Sequence, residues 1–229
     1  MLKADLHLHA KEDKQDNINY TAKELIDKAA ELKYNVLSFT FHRKFFWKKE
    51  LYDYAKNKGI TLIPGAELSI EKRDVLVYNL SKNDDKIKTF EELRKLKKKN
   101  KNLFVIAPHP YFKLKYCLED ELEKNIDIFD AIEFCWFYTK TFNMNKKAIK
   151  IAKKYKLPLI ATSDNHLLWN FGKNYTLIDT KKPNEIFKKI KENKIKIYSP
   201  PRTLFTIGII TLLMINKDLI KNIKQIFRK

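Results

Sequence analysis

Glycine is scarce in this chain and proline nearly so, with 4 and 7 residues among 229. So few breakers leave little material for long flexible linkers, and no low-complexity tract or internal repeat is present. Cysteine is scarcer still. Cys117 and Cys135 have no metal-binding spacing, which excludes a thiolate metal site and fits a reducing compartment. No uncharged apolar run reaches the ~20 residues that a membrane span needs. The longest, Thr203 to Ile215 (TLFTIGIITLLMI), is bounded by Arg202 and Lys217. It reads as a buried terminal helix, the alternative being a membrane-surface or partner contact. The start, Met-Leu-Lys-Ala-Asp, has no cleavable secretory signal, so a cytoplasmic protein is expected.

Acidic residues are also outnumbered: 28 Asp and Glu face 47 Lys and Arg, a formal net charge of +19. Such a field attracts polyanions, either nucleic acid or a phosphorylated partner. The bland alternative is a set of solvated, lysine-rich helix faces. The densest run, Glu91 to Lys101 (EELRKLKKKNK), carries the same two readings, a solvated helix end or a polyanion patch. Hydrophobic residues at 44% and aromatics at 13% are ample for one large core, and one domain is expected at this length.

Short apolar runs rich in β-branched and aromatic residues alternate with amphipathic stretches. LKADL, VLSFT, ITLIP, DVLVYNL, LFVIAP, AIEFCW, LPLIAT and YTLID read as strands. Thr21 to Lys33 and Thr141 to Lys156 read as helices, the first with a capping box at Thr21 and Glu24. Alternation of this kind predicts an α/β fold with parallel strands, either a doubly wound sheet or a closed barrel.

All five histidines follow strand-like runs. His7 and His9 close the first strand, where residues i and i+2 share a side and reach one centre together. His42 ends VLSFTFH, His109 follows LFVIAP, and His166 follows LPLIAT with Asp164 two residues before it. Glu67 ends ITLIPGAE, and Asp74 opens the next strand. A lone histidine at a strand end is usually a satisfied core or loop residue, but five at the carboxyl ends of four strands converge on one face of a parallel barrel. Histidines mixed with carboxylates, without cysteine, favour zinc, manganese or iron, and several carboxylates permit two or three ions. Arg43 and Lys44, directly after His42, suit phosphate binding, with a solvent-facing helix start as the alternative. Phe45, Phe46 and Trp47 read as core or as base-stacking rings, and Trp136 and Tyr138 carry the same ambiguity. Glu133 reads as a support for ligands more than as a ligand.

In order, DLHLH, FTFH, GAE, APHP and TSDNH resemble the motifs of the PHP (polymerase and histidinol phosphatase) superfamily, over roughly residues 2 to 200. The resemblance implies a distorted (βα)7 TIM-like barrel for residues 1–200; beyond it, residues 201–229 read from their composition as an apolar and basic helical extension packed on the barrel. It implies two or three divalent metals (Zn, Mn or Fe) and hydrolysis of a phosphate mono- or diester by a hydroxide bridging them. Substrates in that family include nucleotides, oligonucleotides and small phosphorylated metabolites. Carried over, the metal ligands are His7, His9, Asp13, His42, Glu67, Asp74, His109, Asp164 and His166, with Glu67 as the bridging carboxylate. Asp164, His166 and His109 are the expected catalytic residues, and Arg43 and Lys44 the expected substrate contacts.

Three departures from the pattern stand out. The acidic residue after the HxH pair is Glu12, Asp13 or Asp16, with Asp13 preferred. The family's TDH is Thr40-Phe41-His42 here, a ring in place of a carboxylate. The histidine expected after Glu67 is Asp74, which ligates through oxygen or leaves two metals. Two rivals keep parts of this pattern: a metal-dependent amide or ester hydrolase, and a catalytically silent RNA-binding barrel. A phosphorylated substrate, nucleic acid among the candidates, is the expected partner, with no obligate protein partner and no transmembrane span.

Overall fold

A computed structural model describes residues 1–213 of the chain. In order, the elements are β1 (Leu2–Leu8), α1 (Ala22–Glu31), β2 (Val36–Phe39), α2 (Lys49–Asn57), β3 (Thr61–Leu62), β4 (Gly65–Ile70) and β5 (Arg73–Tyr78). There follow α3 (Phe90–Lys99), β6 (Phe104–Ala107), α4 (Asp120–Lys124), β7 (Ala131–Phe134), α5 (Asn145–Tyr155), β8 (Leu159–Ala161), β9 (Tyr175–Ile178), α6 (Ile186–Lys191) and β10 (Ile195–Tyr198). Residues 204–213 are helical. The capping box at the start of α1 forms as its sequence implies: Thr21 Oγ1 accepts from Glu24 N, and Glu24 Oε2 accepts from Thr21 N at 2.6 Å. Helix α1 buries Ala22, Leu25, Ile26 and Ala29, the i, i+3, i+4, i+7 stripe of an amphipathic helix.

The strands form two mixed five-stranded sheets, β10-β9-β1-β2-β3 and β4-β5-β6-β7-β8. Parallel ladders run through β1-β2-β3 and β6-β7-β8, whereas β9 and β10 and the β4-β5-β6 meander are antiparallel. The α/β class is as expected, but among the described residues the ladders do not close into a (βα)7 barrel. One departure from the repeating βα pattern lies between β4 and β5. Only Glu71 and Lys72 connect them, both at positive φ (49° and 67°), and a two-residue reversal builds a hairpin because it has no room for a crossover helix. Strand β4, GAELSI, and strand β10, IKIY, lie outside the apolar runs that signalled strands.

The sheets meet at two seams, each marked by one isolated parallel bridge, His42 to Glu67 and Leu8 to Asn165. Between the sheets, Ala4, Leu6 and Val36 pack against Tyr78, Phe104 and Ile160. Helix α6 joins this core through Ile186 and Ile190, with Phe187 stacked on Phe104 at 4.3 Å. Helices α1 and α2 cover the outside of the first sheet, and α3, α4 and α5 that of the second. Leu6 belongs to the inner core and Leu8 to the outer one although they lie two residues apart. The β1–β2 register slips between Asp5 and Leu8, and past the slip His7 and His9 face inward.

The apolar C-terminal segment differs from a buried helix over its described part. Ile210 is sealed against Trp136 and Leu167, but Leu204, Phe205 and Leu212 are 71%, 77% and 60% exposed. The remainder of the 201–229 extension, residues 214–229, lies outside the described residues. No helix among the described residues is long and apolar enough to cross a membrane.

Candidate metal centre

The two seams bring the carboxyl ends of β1, β2, β6 and β8 together around the side chain of Glu67 on β4. Glu67 Oε2 lies 3.4 Å from His7 Nε2, 3.4 Å from His9 Nε2 and 3.2 Å from His42 Nε2, while Oε1 lies 3.4 Å from His109 Nε2. Asp164 Oδ1 faces the same two nitrogens of His7 and His9 at 3.4 and 3.5 Å. These separations suit atoms that share a cation better than atoms that bond each other. His7 Nε2, His9 Nε2 and Glu67 Oε2 are all buried without a hydrogen-bond partner. Orphaned buried polar atoms are costly, and a divalent ion among them would satisfy all three at once. Ligand atoms of His7, His9 and Glu67 lie within 4.8 Å of one another, as do those of Glu67, Asp74 and His109, and those of His9, Asp13, Asp16 and His42. The donor set is nitrogen and oxygen only, as the sequence implied, and Glu67 belongs to two of the groups.

A second layer fixes the imidazoles. Glu133 Oε1 faces His7 Nδ1 at 3.0 Å and accepts from Thr162 Oγ1, while its Oε2 accepts from His109 N at 2.6 Å. Asp13 Oδ2 faces Nδ1 of His9 at 3.0 Å and Nδ1 of His42 at 2.8 Å, and accepts from His42 N at 2.9 Å. The Cys117 thiol lies 3.6 Å from His109 Nδ1. A carboxylate behind an imidazole holds the proton on Nδ1 and turns Nε2 inward as a free donor.

The three acidic candidates after the HxH pair separate by environment. The Glu12 carboxylate accepts from Ala22 N at the start of α1. Asp13 sits behind His9 and His42. Asp16 Oδ2 lies 3.0 Å from His166 Nε2 and 3.3 Å from His42 Nδ1, so it joins the cluster beside Asp13. Asp5 is a further buried carboxyl that sequence reasoning passed over. Its Oδ1 accepts from Ser163 N and His7 N, and burial pushes its pKa up to about 7.

Electrostatically the imidazoles and carboxylates of the pocket hold one another in their charged forms. Burial would raise Glu67, but His7, His42 and His109 hold it well below the usual carboxylate range, and His7 and its neighbours do the same for Asp164. Burial would lower His7, yet Asp164, Glu67 and Glu133 outweigh it and hold the ring up to about 10. Asp74 is pushed up to about 7, by burial and then by the charge of Glu67. Backbone strain collects at the same place. Arg43, His109 and Asp164 adopt positive φ of 56°, 27° and 43°, disfavoured for side-chain-bearing residues. Arg43 N is held by Glu67 O at 2.6 Å.

The open part of the centre is a cleft of about 330 Å³. Asp16, His42, Arg43, Glu67, Asp74, His109, Asp164 and His166 line it, with Tyr116 edge-on to His109. Arg43 therefore shares the cleft with the cluster, whereas Lys44 lines a neighbouring one. Phe41 is buried beside Phe39 and Phe46. Of the remaining aromatic candidates, Phe45 and Phe46 pack on the cores, Trp136 is buried against the terminal helix, and Trp47 is exposed.

A PHP domain model matches residues 5–133, more than half of the chain, and a PHP-associated model matches residues 143–195. No curated protein matches. Among solved structures, PsfC from Pseudomonas syringae is similar with a TM-score of 0.67 at 15% identity, over 96% of this chain and 98% of that one. A two-domain protein from Bacteroides vulgatus containing a predicted PHP-like metal-dependent phosphoesterase gives 0.63 at 18% identity, over 86% of this chain and 64% of that one. The chain thus spans less than two thirds of the Bacteroides protein. The lesion-specific endonuclease PfuEndoQ from Pyrococcus furiosus gives 0.57 at 15% identity, over 86% and 57%.

Proposed function

The chain belongs to the PHP domain family, and from that premise we propose that it is a metal-dependent phosphoesterase that hydrolyses a phosphate mono- or diester. The observation that carries this reading is the convergence of His7 Nε2, His9 Nε2 and Glu67 Oε2, buried and unpartnered, beside an open cleft that also holds Arg43.

We assign His7, His9, Glu67 and Asp164 to one ion, and Glu67, Asp74 and His109 to a second that shares Glu67. His42 and His166, with Asp16 between them and Asp13 behind His42, would hold a third. Two or three divalent ions such as zinc, manganese or iron would supply Lewis acidity toward phosphate oxygens and lower the pKa of a water. The protein's own part is orientation. Glu133 and Asp13 hold the imidazoles, the Arg43 guanidinium offers paired donors to non-bridging phosphate oxygens, and Tyr116 walls the cleft. Asp164, His166 and His109 line the cleft and would contact the reacting group. Residues 1–200 would form the hydrolytic unit, with 201–229 appended.

The test is turnover of mono- and bis-p-nitrophenyl phosphate by metal-loaded wild type and His109→Ala, with p-nitrophenyl acetate alongside. Phosphate-ester hydrolysis that His109→Ala abolishes supports the reading. Acetate turnover without phosphate turnover moves the assignment to an amide or ester hydrolase. Absence of both, with no metal retained, leaves an RNA-binding scaffold.

A further inference from the structure

The helix of residues 204–213 contributes no side chain to the cleft of the metal centre, and it is moored along one side. Ile210 is sealed against Trp136 and Leu167, and just before the helix Arg202 N donates to Tyr138 O at 2.8 Å. On the other side Leu204, Phe205, Ile209 and Leu212 are exposed. With Gly208 among them, these positions follow the i, i+1, i+4, i+5, i+8 spacing of a single helical face. That face is open, for a β-carbon on Gly208 would meet no atom within 4 Å. An amphipathic helix of a globular domain turns its apolar stripe to the core. A contiguous apolar stripe turned outward marks a contact with a partner or a membrane.

The charges around the face decide between the two. The segments that moor the helix carry the exposed cations Lys140 and Lys173 and the exposed rings of Phe142 and Trp169, with Lys173 Nζ 5.1 Å from the centre of the Trp169 ring. Residues 134–163 contain seven lysines and no acidic residue, and residues 165–178 and 195–213 are equally free of Asp and Glu. In sequence, residues 214–229 add five Lys or Arg against Asp218 alone. Apolar side chains bordered by lysines and aromatic rings match a bilayer with anionic head groups, where the apolar groups enter the acyl boundary and the ammonium groups meet phosphate. A second copy of this chain is a poorer occupant, because pairing the face with itself would bring the same lysines together without counter-charges. The uncharged run from Thr203 to Ile215 would measure only about 20 Å as a helix, against about 30 Å of hydrocarbon, so it is suited to lie along a membrane and not to cross it. We propose that this face docks the protein onto an anionic lipid surface, with the helix in the plane of the interface. The inference is independent of the phosphoesterase reading.

The experiment is flotation of the full chain with vesicles, one set of phosphatidylcholine alone and one of equimolar phosphatidylcholine and phosphatidylserine. Wild type is compared with L204S/F205S/L212S and with K140A/K173A. All five substituted side chains are exposed, so both variants are expected to keep the wild-type Tm, which thermal unfolding checks. Wild type is expected to partition about tenfold more strongly onto the mixed vesicles than onto phosphatidylcholine, and raised salt to weaken it. The serine variant is expected to lose about tenfold in partitioning through its apolar contacts, and the lysine variant roughly tenfold through its charges. Wild type that floats with neither vesicle overturns the proposal, as does flotation that the serine substitutions leave unchanged. Equal partitioning onto both vesicles overturns the anionic surface. Light scattering on lipid-free protein adds a further check: a wild-type dimer that the serine variant converts to a monomer, without vesicle binding, assigns the face to a second copy and likewise overturns the proposal.

Discussion

Replacing Glu133 by glutamine separates orientation of the metal ligands from ligation itself. Glu133 is 1% exposed and accepts on both oxygens: Oε1 faces His7 Nδ1 and takes Thr162 Oγ1, while Oε2 takes His109 N. An amide of the same shape offers one acceptor oxygen and one donor nitrogen. Either way it turns, an N–H2 group faces N–H of His109 or the donors of His7 and Thr162. One buried donor then loses its acceptor, at about 1–3 kcal/mol. For a domain of this size that is a fall of roughly 2–12 °C in the Tm of the metal-free protein. Loss of a carboxylate behind a ligating histidine weakens metal binding by about 10–100-fold. The assay is competitive metal titration against a chromophoric chelator, with thermal unfolding of the metal-free variant alongside. A metal Kd within twofold of wild type, in a variant whose Tm has fallen, would refute the claim that Glu133 orients His7 and His109, leaving it only a packing role.

Other outcomes follow from the same geometry. Saturation with a divalent metal to about 100 times Kd adds about 2.7 kcal/mol per site, raising Tm by roughly 5–11 °C, and a chelator reverses it; an unchanged Tm by scanning calorimetry contradicts a resident metal. In the metal-free pocket the carboxylates hold His7 up to about 10, so at pH 7 an entering metal displaces its proton. Affinity therefore rises from pH 6 to pH 8 with measurable proton release in calorimetry, and a pH-independent Kd contradicts this. Arg43→Ala removes charge-assisted contacts and is expected to lower kcat/KM for p-nitrophenyl phosphate by roughly 10–100-fold, whereas an effect below twofold removes Arg43 from the substrate site. Phe104→Ala empties the space between the sheets where Phe104 stacks on Phe187 and should cost about 3–5 kcal/mol in urea unfolding.

The chemistry of the site was more legible than the architecture around it. His7 and His9 could be read together because a strand repeats every two residues, and the β1–β2 slip leaves that pair intact. His42, His109 and Asp164 were marked by the apolar runs before them. The choice among Glu12, Asp13 and Asp16 was not legible, because a loop has no period. What separates them is tertiary: Glu12 meets the start of α1, Asp13 meets His42 N, and Asp16 meets His166 across the seam. The closed barrel was expected from strand and helix alternation, yet the hairpin at Glu71 and Lys72 uses neither Gly nor Asn, the residues that usually announce such a turn. Strand β10 was hidden because three of its four residues are exposed, so IKIY carries no core signature. The exposure of Leu204, Phe205 and Leu212 was hidden for the opposite reason, since an apolar run is normally read as buried.

The most direct test of the central claim is a titration of metal-stripped protein with zinc or manganese, following p-nitrophenyl phosphate hydrolysis at each added equivalent. Turnover that is absent at the start and reaches a plateau at two or three equivalents is the result expected. No turnover at any loading, in protein that remains folded, would contradict a metal-dependent phosphoesterase.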